Sequence, residues 1–183
     1  MKFRNWLLEM KNTQYEYSSI HVNLPNSLAD NIISWGRKKV SDDDIFVSQQ
    51  DPSFGREDEM HVTMLYGLHS ESSEEVKKLL ENEKSIHVKL GKIKVFTNPQ
   101  KFDVVVIGVE SKDLCRLNKK LRDSVEYTNT YDKYQPHATI AYVKKGKGWK
   151  HKGLDEWVGR EFICNYTVFS SKNGTKHRIP FAK

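Results

Sequence analysis

Between Tyr17 and Leu24 apolar and polar positions alternate, with Ile20, Val22 and Leu24 on one face, and this period of two predicts a half-buried β-strand. Pro25-Asn26-Ser27 then opens a helix whose apolar face is Leu28, Ile32 and Trp35 and which runs to about Val40. Ser41 to Glu59 is polar and carries Asp42, Asp43, Asp44, Asp51, Glu57, Asp58 and Glu59. It is long for a connection inside a compact domain, so it is either mobile or functional. His61 to Tyr66 reads as the second strand. Ser72 and Glu75 have the spacing of a capping box, opening a helix that turns Val76, Leu79 and Leu80 inward. Ile86 to Phe96 and Lys101 to Val109 are strand-rich and join in a hairpin around Asn98-Pro99.

The second half repeats this order. Ser111 precedes a helix with Leu114, Leu117, Leu121 and Val125 on one stripe. Thr128 to Gln135 is a polar connection, His137 to Val143 a strand, Glu161 to Ser170 another, and Thr175 to Phe181 pairs with it. The predicted architecture is α+β and bilobal: two pseudo-symmetric lobes of antiparallel-rich sheet with outer helices around a central groove. Lobe 1 covers about residues 16–97 and lobe 2 about residues 101–183. No Gly/Ser/Pro-rich linker separates them, so residues 1–183 are read as a single domain.

Composition narrows the class. Hydrophobic residues at 37% and charged residues at 30% describe a globular balance rather than a disordered one. No apolar run approaches the roughly 20 residues of a membrane span, and the apolar stretch after Met1 breaks too soon for a signal peptide. Two cysteines, Cys115 and Cys164, are too few for a disulfide framework or a four-thiolate zinc site. The expectation is a cytoplasmic protein with no structural metal, no cofactor and no membrane association. A formal net charge of +6 suits an anionic partner without requiring one.

One short pattern occurs once in each half: Met60-His61-Val62-Thr63-Met64-Leu65-Tyr66 and Pro136-His137-Ala138-Thr139-Ile140-Ala141-Tyr142. Residues i and i+2 of a strand share a face, so His61 projects with Thr63 and His137 with Thr139. If the lobes face each other, all four side chains line one groove. Two imidazoles act as base and acid near neutral pH, and two hydroxyls donate to non-bridging phosphoryl oxygens, which suits metal-free phosphodiester chemistry. A single His-x-Thr arises often by chance; two copies in corresponding places carry the argument. Tyr66 and Tyr142 lie an odd number of positions from their histidines and are expected in the core.

These paired triplets resemble the 2H phosphoesterase superfamily, which includes the 2′-5′ RNA ligase-like enzymes and cyclic phosphodiesterases. Pro136 before the second histidine matches a common form of that signature, and Met60 replaces it in the first copy. The resemblance covers roughly residues 16–171 and implies a metal-independent enzyme with His61, Thr63, His137 and Thr139 catalytic. The closing strands with Ser170-Ser171-Lys172-Asn173-Gly174 are similar to the phage anti-CBASS phosphodiesterases. That branch implies small cyclic di- or trinucleotide immune signals as substrate, and a host cytoplasm if the chain is phage-encoded. The same motif serves a 2′,3′-cyclic phosphate or 2′-5′ linkage at RNA ends, and a module that binds nucleotide without cutting it stays open.

Substrate-binding candidates are aromatic and basic. Tyr17, Phe96 and Tyr134, with Tyr15, are placed to stack a base, or else pack in the core. Lys144 and Lys147 belong to a glycine-interrupted run of five lysines, Lys144 to Lys152, that attracts phosphate or is simply a solvated loop. His21 shares a face with Ser19 and Asn23 and either reaches the groove or serves as a surface or supporting residue. The acidic stretch before His61 speaks against a long RNA cradle on that side.

Overall fold

The computed structural model describes residues 15–48, 54–98, 101–129 and 133–182. Among them the strands are β1 (Ser18–Asn23), β2 (His61–Leu68), β3 (Ile86–Thr97), β4 (Phe102–Glu110), β5 (His137–Lys144), β6 (Glu161–Cys164), β7 (Tyr166–Ser170) and β8 (Lys176–Pro180). The helices are α1 (Asn26–Lys39), α2 (Glu74–Leu80) and α3 (Lys112–Arg122), and short 3₁₀ turns form at Asp42–Asp44 and Trp149–His151. All strand pairs are antiparallel, in one sheet of order β6-β3-β4-β5-β2-β1-β7-β8. The fold is α+β, as the alternation of apolar positions predicts.

The half-sheets do not follow the 16–97/101–183 division. That boundary cuts the β3–β4 hairpin, whose strands pair along Lys89–Thr97, while β7 and β8 return from the second half to lie beside β1. Asn98 accepts from Lys101 N at 3.1 Å through its side chain and closes the hairpin; Pro99 lies outside the described residues. The strand expected over Glu161 to Ser170 is interrupted at Asn165. Its first part pairs with β3 and its second with β1, so the sheet curls to bring these two strands to one connected segment. Pairing of the last strand to it is observed, as β8 on β7.

The core lies on one face of this sheet. Ile20, Val22, Val62, Ala138, Ala141 and Ile107 are fully buried there and pack with Ile32 of α1 and Leu114, Leu117 and Leu121 of α3. Ser111 caps α3, its hydroxyl accepting from Leu114 N at 3.1 Å, and Arg37, Lys38 and Lys39 face the negative end of the α1 dipole. The capping box expected at Ser72 and Glu75 does not form: Ser72 Oγ accepts instead from Glu74 N, at 3.3 Å, and Ser73 occupies the cap position without a side-chain bond.

Two β-bulges change which side chains face outward. Thr63 pairs with His21 but Leu65 pairs with Ile20, so Met64 is an extra residue in β2; likewise Val106 pairs with Thr139 and Val105 with Ala141, so Ile140 is extra in β5. Both strands therefore show two consecutive buried residues, Met64-Leu65 and Ile140-Ala141. A bulged residue leaves the ladder, and its carbonyl needs another partner. The buried amide of Asn118 on α3 donates to Met64 O at 2.6 Å, and Glu57 N donates to Ile140 O at 3.0 Å. Beyond each bulge the alternation is reversed, which corrects the placement of Tyr66 and Tyr142 in the core. Both share the face of the histidines, and Tyr66 is 40% exposed.

Candidate active site

β2 and β5 run side by side through the pair Val62–Ala138, both fully buried. Their burial turns the flanking residues of each triplet to the opposite face. In antiparallel register this sets His61 across from Thr139 and Thr63 across from His137. The four side chains predicted to act together are thus gathered on one open face, each partly exposed.

The two imidazoles are held identically. His61 Nδ1 lies 2.7 Å from Glu59 O, and His137 Nδ1 lies 2.7 Å from Gln135 O. A carbonyl only accepts, so Nδ1 carries the hydrogen in each ring and Nε2 is the atom left to exchange a proton.

Their surroundings differ. His61 packs against the His21 ring, centroids 4.7 Å apart, and Glu59 beside it forms an ion pair with Lys176 of β8. His21 sits across from Thr63 and is 5% exposed, and burial first, then the charge of His61, pushes it down to about 3. Partial burial pushes Glu59 up, but Lys176, His21 and His61 together bring its carboxyl below the ordinary range; burial holds the Glu57 carboxyl above it. On the other side, Phe96 meets His137 edge-on at 4.8 Å. Burial lowers His137, the Gln135 carbonyl raises it, and the charges of His61 and Lys94 lower it further, leaving it below 6.5.

The remaining candidates divide. Phe96 touches the site. Tyr17 lies edge-on to Tyr66 at 5.8 Å and stacks on His69 at 6.0 Å, so the two tyrosines form one aromatic corner on the motif face. Tyr134 is no stacking platform: its ring packs against the core and its hydroxyl donates to Thr63 O at 2.9 Å, which ties down β2 at the first triplet. Lys144 and Lys147 do not reach the site either. Lys144 Nζ donates to Asp43 O at 2.7 Å, and Lys147 and Lys150 lie 3.8 and 2.6 Å from the Asp44 carboxylate. The lysine loop and the acidic turn neutralise each other at the far end of β5. Two other cations come near: Lys94, whose charge acts on His137, and Lys176, which pairs with Glu59 beside His61. Neither belongs to a motif, and only the strand order brings them there. Among the described residues, no cluster of three or more His, Cys, Asp or Glu could hold a metal ion.

The sequence family described as the 2′-5′ RNA ligase superfamily matches residues 41–151. No curated sequence matches the chain. Solved structures share the fold: TT0787 of Thermus thermophilus, with a TM-score of 0.61 and 15% identity over 91% of this chain and 100% of that one. Usb1 of Kluyveromyces marxianus gives 0.56 and 13% over 92% and 99%. LigT of E. coli complexed with 3′-AMP gives 0.59 and 16% over 91% and 94%.

Proposed function

The chain belongs to the 2′-5′ RNA ligase superfamily and is a phosphodiesterase-type enzyme, and from that premise we propose a metal-independent, two-histidine cleavage of a nucleotide phosphodiester. The observation that carries this reading is the Val62–Ala138 pair, which presents both His-x-Thr triplets on one face. Water, or a 2′-hydroxyl of the substrate, attacks phosphorus as His137 Nε2 takes its proton. His61 Nε2 gives a proton to the departing oxygen, and the P–O bond to that oxygen breaks. His137 suits the accepting role because burial and the nearby charges keep it neutral at pH 7. Thr63 and Thr139 donate to the non-bridging oxygens as charge builds there.

The preferred substrate is a small cyclic oligonucleotide, a cyclic di- or trinucleotide of the kind that anti-CBASS phosphodiesterases degrade. Rings at two places on the face, Tyr17–Tyr66 and Phe96, offer surfaces for two bases near one phosphate. Before β2, Asp58 and Glu59 pair with Arg37 and Lys176, so this edge offers no free run of cations to a long polyanion. Cleavage at RNA ends, at a 2′,3′-cyclic phosphate or a 2′-5′ linkage, is the second reading, favoured by the family's own description. The whole chain, residues 1–183, acts as one catalytic domain, since β1 and β8 from its two ends build the same half-sheet. Two unpaired cysteines, Cys115 and Cys164, fit work in a reducing cytoplasm.

The test is product analysis by mass spectrometry in excess EDTA, over cyclic dinucleotides, cyclic trinucleotides, 2′,3′-cyclic mononucleotides and 2′-5′-linked dinucleotides. Linearised cyclic oligonucleotide as the fastest-forming product supports the preferred substrate, and faster opening of 2′,3′-cyclic ends selects the second reading. Intact ligand throughout, or activity that needs a divalent ion, overturns the mechanism.

A further inference from the structure

His137 has a cation beside it that reaches it through the space of a missing side chain. Gly108 of β4 pairs with His137 of β5, and Lys94 of β3 pairs with Val106, two residues along β4. A Cβ at position 108 would stand 2.8 Å from Lys94 Cε and 3.2 Å from its Nζ, so the lysine chain occupies the room that any other residue would fill. The backbone at Gly108 is not in the left-handed region; the close approach of Lys94 is what favours glycine there. Phe96, two residues further along β3, already touches the His137 ring, so Lys94 projects from the same face of its strand. Lys144, Lys145, Lys147, Lys150 and Lys176 all hold carboxylates or carbonyls. The Lys94 ammonium makes no ion pair among the described residues.

We propose that Lys94, laid across Gly108, is a substrate-binding residue of this site: its ammonium meets the phosphate oxygens beside His137. The inference rests on the two-histidine reading. The groups facing His137 are few: the Gln135 carbonyl from its own segment, His61 from β2 and Lys94 from β3, with no charge from Gly108 on β4. A phosphate bridging Lys94 to the threonine hydroxyls would lie where His137 Nε2 can reach the attacking oxygen.

Three variants test it: Lys94→Gln, Gly108→Ala and the double. The far end of a lysine gives way easily, so Gly108→Ala should fold and displace the ammonium without removing it. The readouts are kcat and KM, the His137 titration midpoint by NMR of the imidazole, and affinity for inorganic phosphate. Lys94→Gln should raise KM about 10-fold or more, weaken phosphate binding and move the His137 midpoint upward, taking the acid limb of kcat/KM to higher pH. Gly108→Ala should do the same to a smaller extent, and add nothing once Lys94 is gone. An unmoved His137 midpoint with unchanged phosphate affinity in Lys94→Gln overturns the assignment, as does a Gly108→Ala effect that persists undiminished in the double variant. The midpoint and phosphate binding need no turnover. A wild-type protein inactive on every substrate therefore sinks the catalytic reading, while these two measurements still decide the place of Lys94.

Discussion

Val62 and Ala138 stand opposite each other across β2 and β5, each the middle residue of a His-x-Thr triplet and each fully buried. An approximate two-fold axis runs through this pair: β5 answers to β2, β4 to β1 and β3 to β7, and the bulges at Met64 and Ile140 occupy matching places. Symmetry supplies two equivalent imidazoles, and their neighbours make them unequal. His21, Glu59 and Lys176 surround one; Phe96 and Lys94 flank the other. In the proposed mechanism, that difference suits one ring to accept a proton while the other donates.

Replacing His61 or His137 with Ala should lower kcat by about 10²–10⁴, the usual worth of one general acid or base. KM should change little, since the hydroxyls and Lys94 remain. Because His137 sits below 6.5, the acid limb of the wild-type kcat/KM profile should lie below that value, and His137→Ala should abolish the limb. Steady-state kinetics from pH 4 to 9 check both statements. Near-normal turnover in either variant refutes the two-histidine assignment.

The motif pair was legible because strand alternation alone places His61 with Thr63 and His137 with Thr139. Alternation is also what misleads at Tyr66 and Tyr142. A bulge is an extra residue in the register, and its signature is a tertiary one, such as Asn118 of α3 reaching the Met64 carbonyl. Lys94 and Lys176 look like ordinary exposed strand lysines; their neighbours come from β5 and from the segment before β2. Lys144 and Lys147 follow the second motif directly, yet the length of β5 separates Lys144 from His137, and the acidic turn is nearer. Adjacency in sequence was a poor guide to the site, whereas register across the sheet was a good one.

His21 should make the protein sensitive to acid. Its folded value of about 3 lies below the ordinary 6.5, so between those limits the unfolded chain binds the extra proton and stability falls as pH falls. At pH 5.5 the loss attributable to His21 is roughly 1 kcal/mol relative to neutral pH, with His137 acting in the same direction. His21→Phe fills similar space and removes the buried Nε2, which has no hydrogen-bond partner among the described residues. Its denaturation midpoint should therefore drop less than that of wild type between pH 7 and 5.5. An equal drop in both proteins returns the acid sensitivity to other groups.

Asn118 should matter more for stability than its place on a helix suggests. Asn118→Leu keeps the apolar stripe of α3 but leaves the Met64 carbonyl buried and unpaired, at a cost of about 1–3 kcal/mol. Equilibrium urea unfolding measures it. A change below about 0.5 kcal/mol would mean that water or a register shift satisfies the carbonyl instead. A shift of that kind would turn Tyr66 inward and should appear as a change in tyrosine fluorescence.

Thr63 and Thr139 are assigned to the phosphate rather than to the fold, and the structure makes the distinction testable. Both are partly exposed on the motif face, and among the described residues neither hydroxyl has a protein partner. The contact that anchors this part of β2, from the Tyr134 hydroxyl, goes to the Thr63 backbone carbonyl and survives any side-chain change. Thr→Val keeps the shape and the β-branch, so strand preference is nearly unaltered. What it removes is one donor aimed at the phosphoryl oxygens, and losing such a donor costs on the order of 10²–10³ in kcat where it acts mainly in the transition state. Each single variant should therefore unfold at the wild-type denaturant midpoint and lose turnover in that range. The double variant should lose less than the product of the singles, because both hydroxyls serve one phosphate and its remaining oxygen contacts can readjust. Unchanged turnover, or turnover lost in proportion to a fall in the denaturation midpoint, would return these threonines to a structural role.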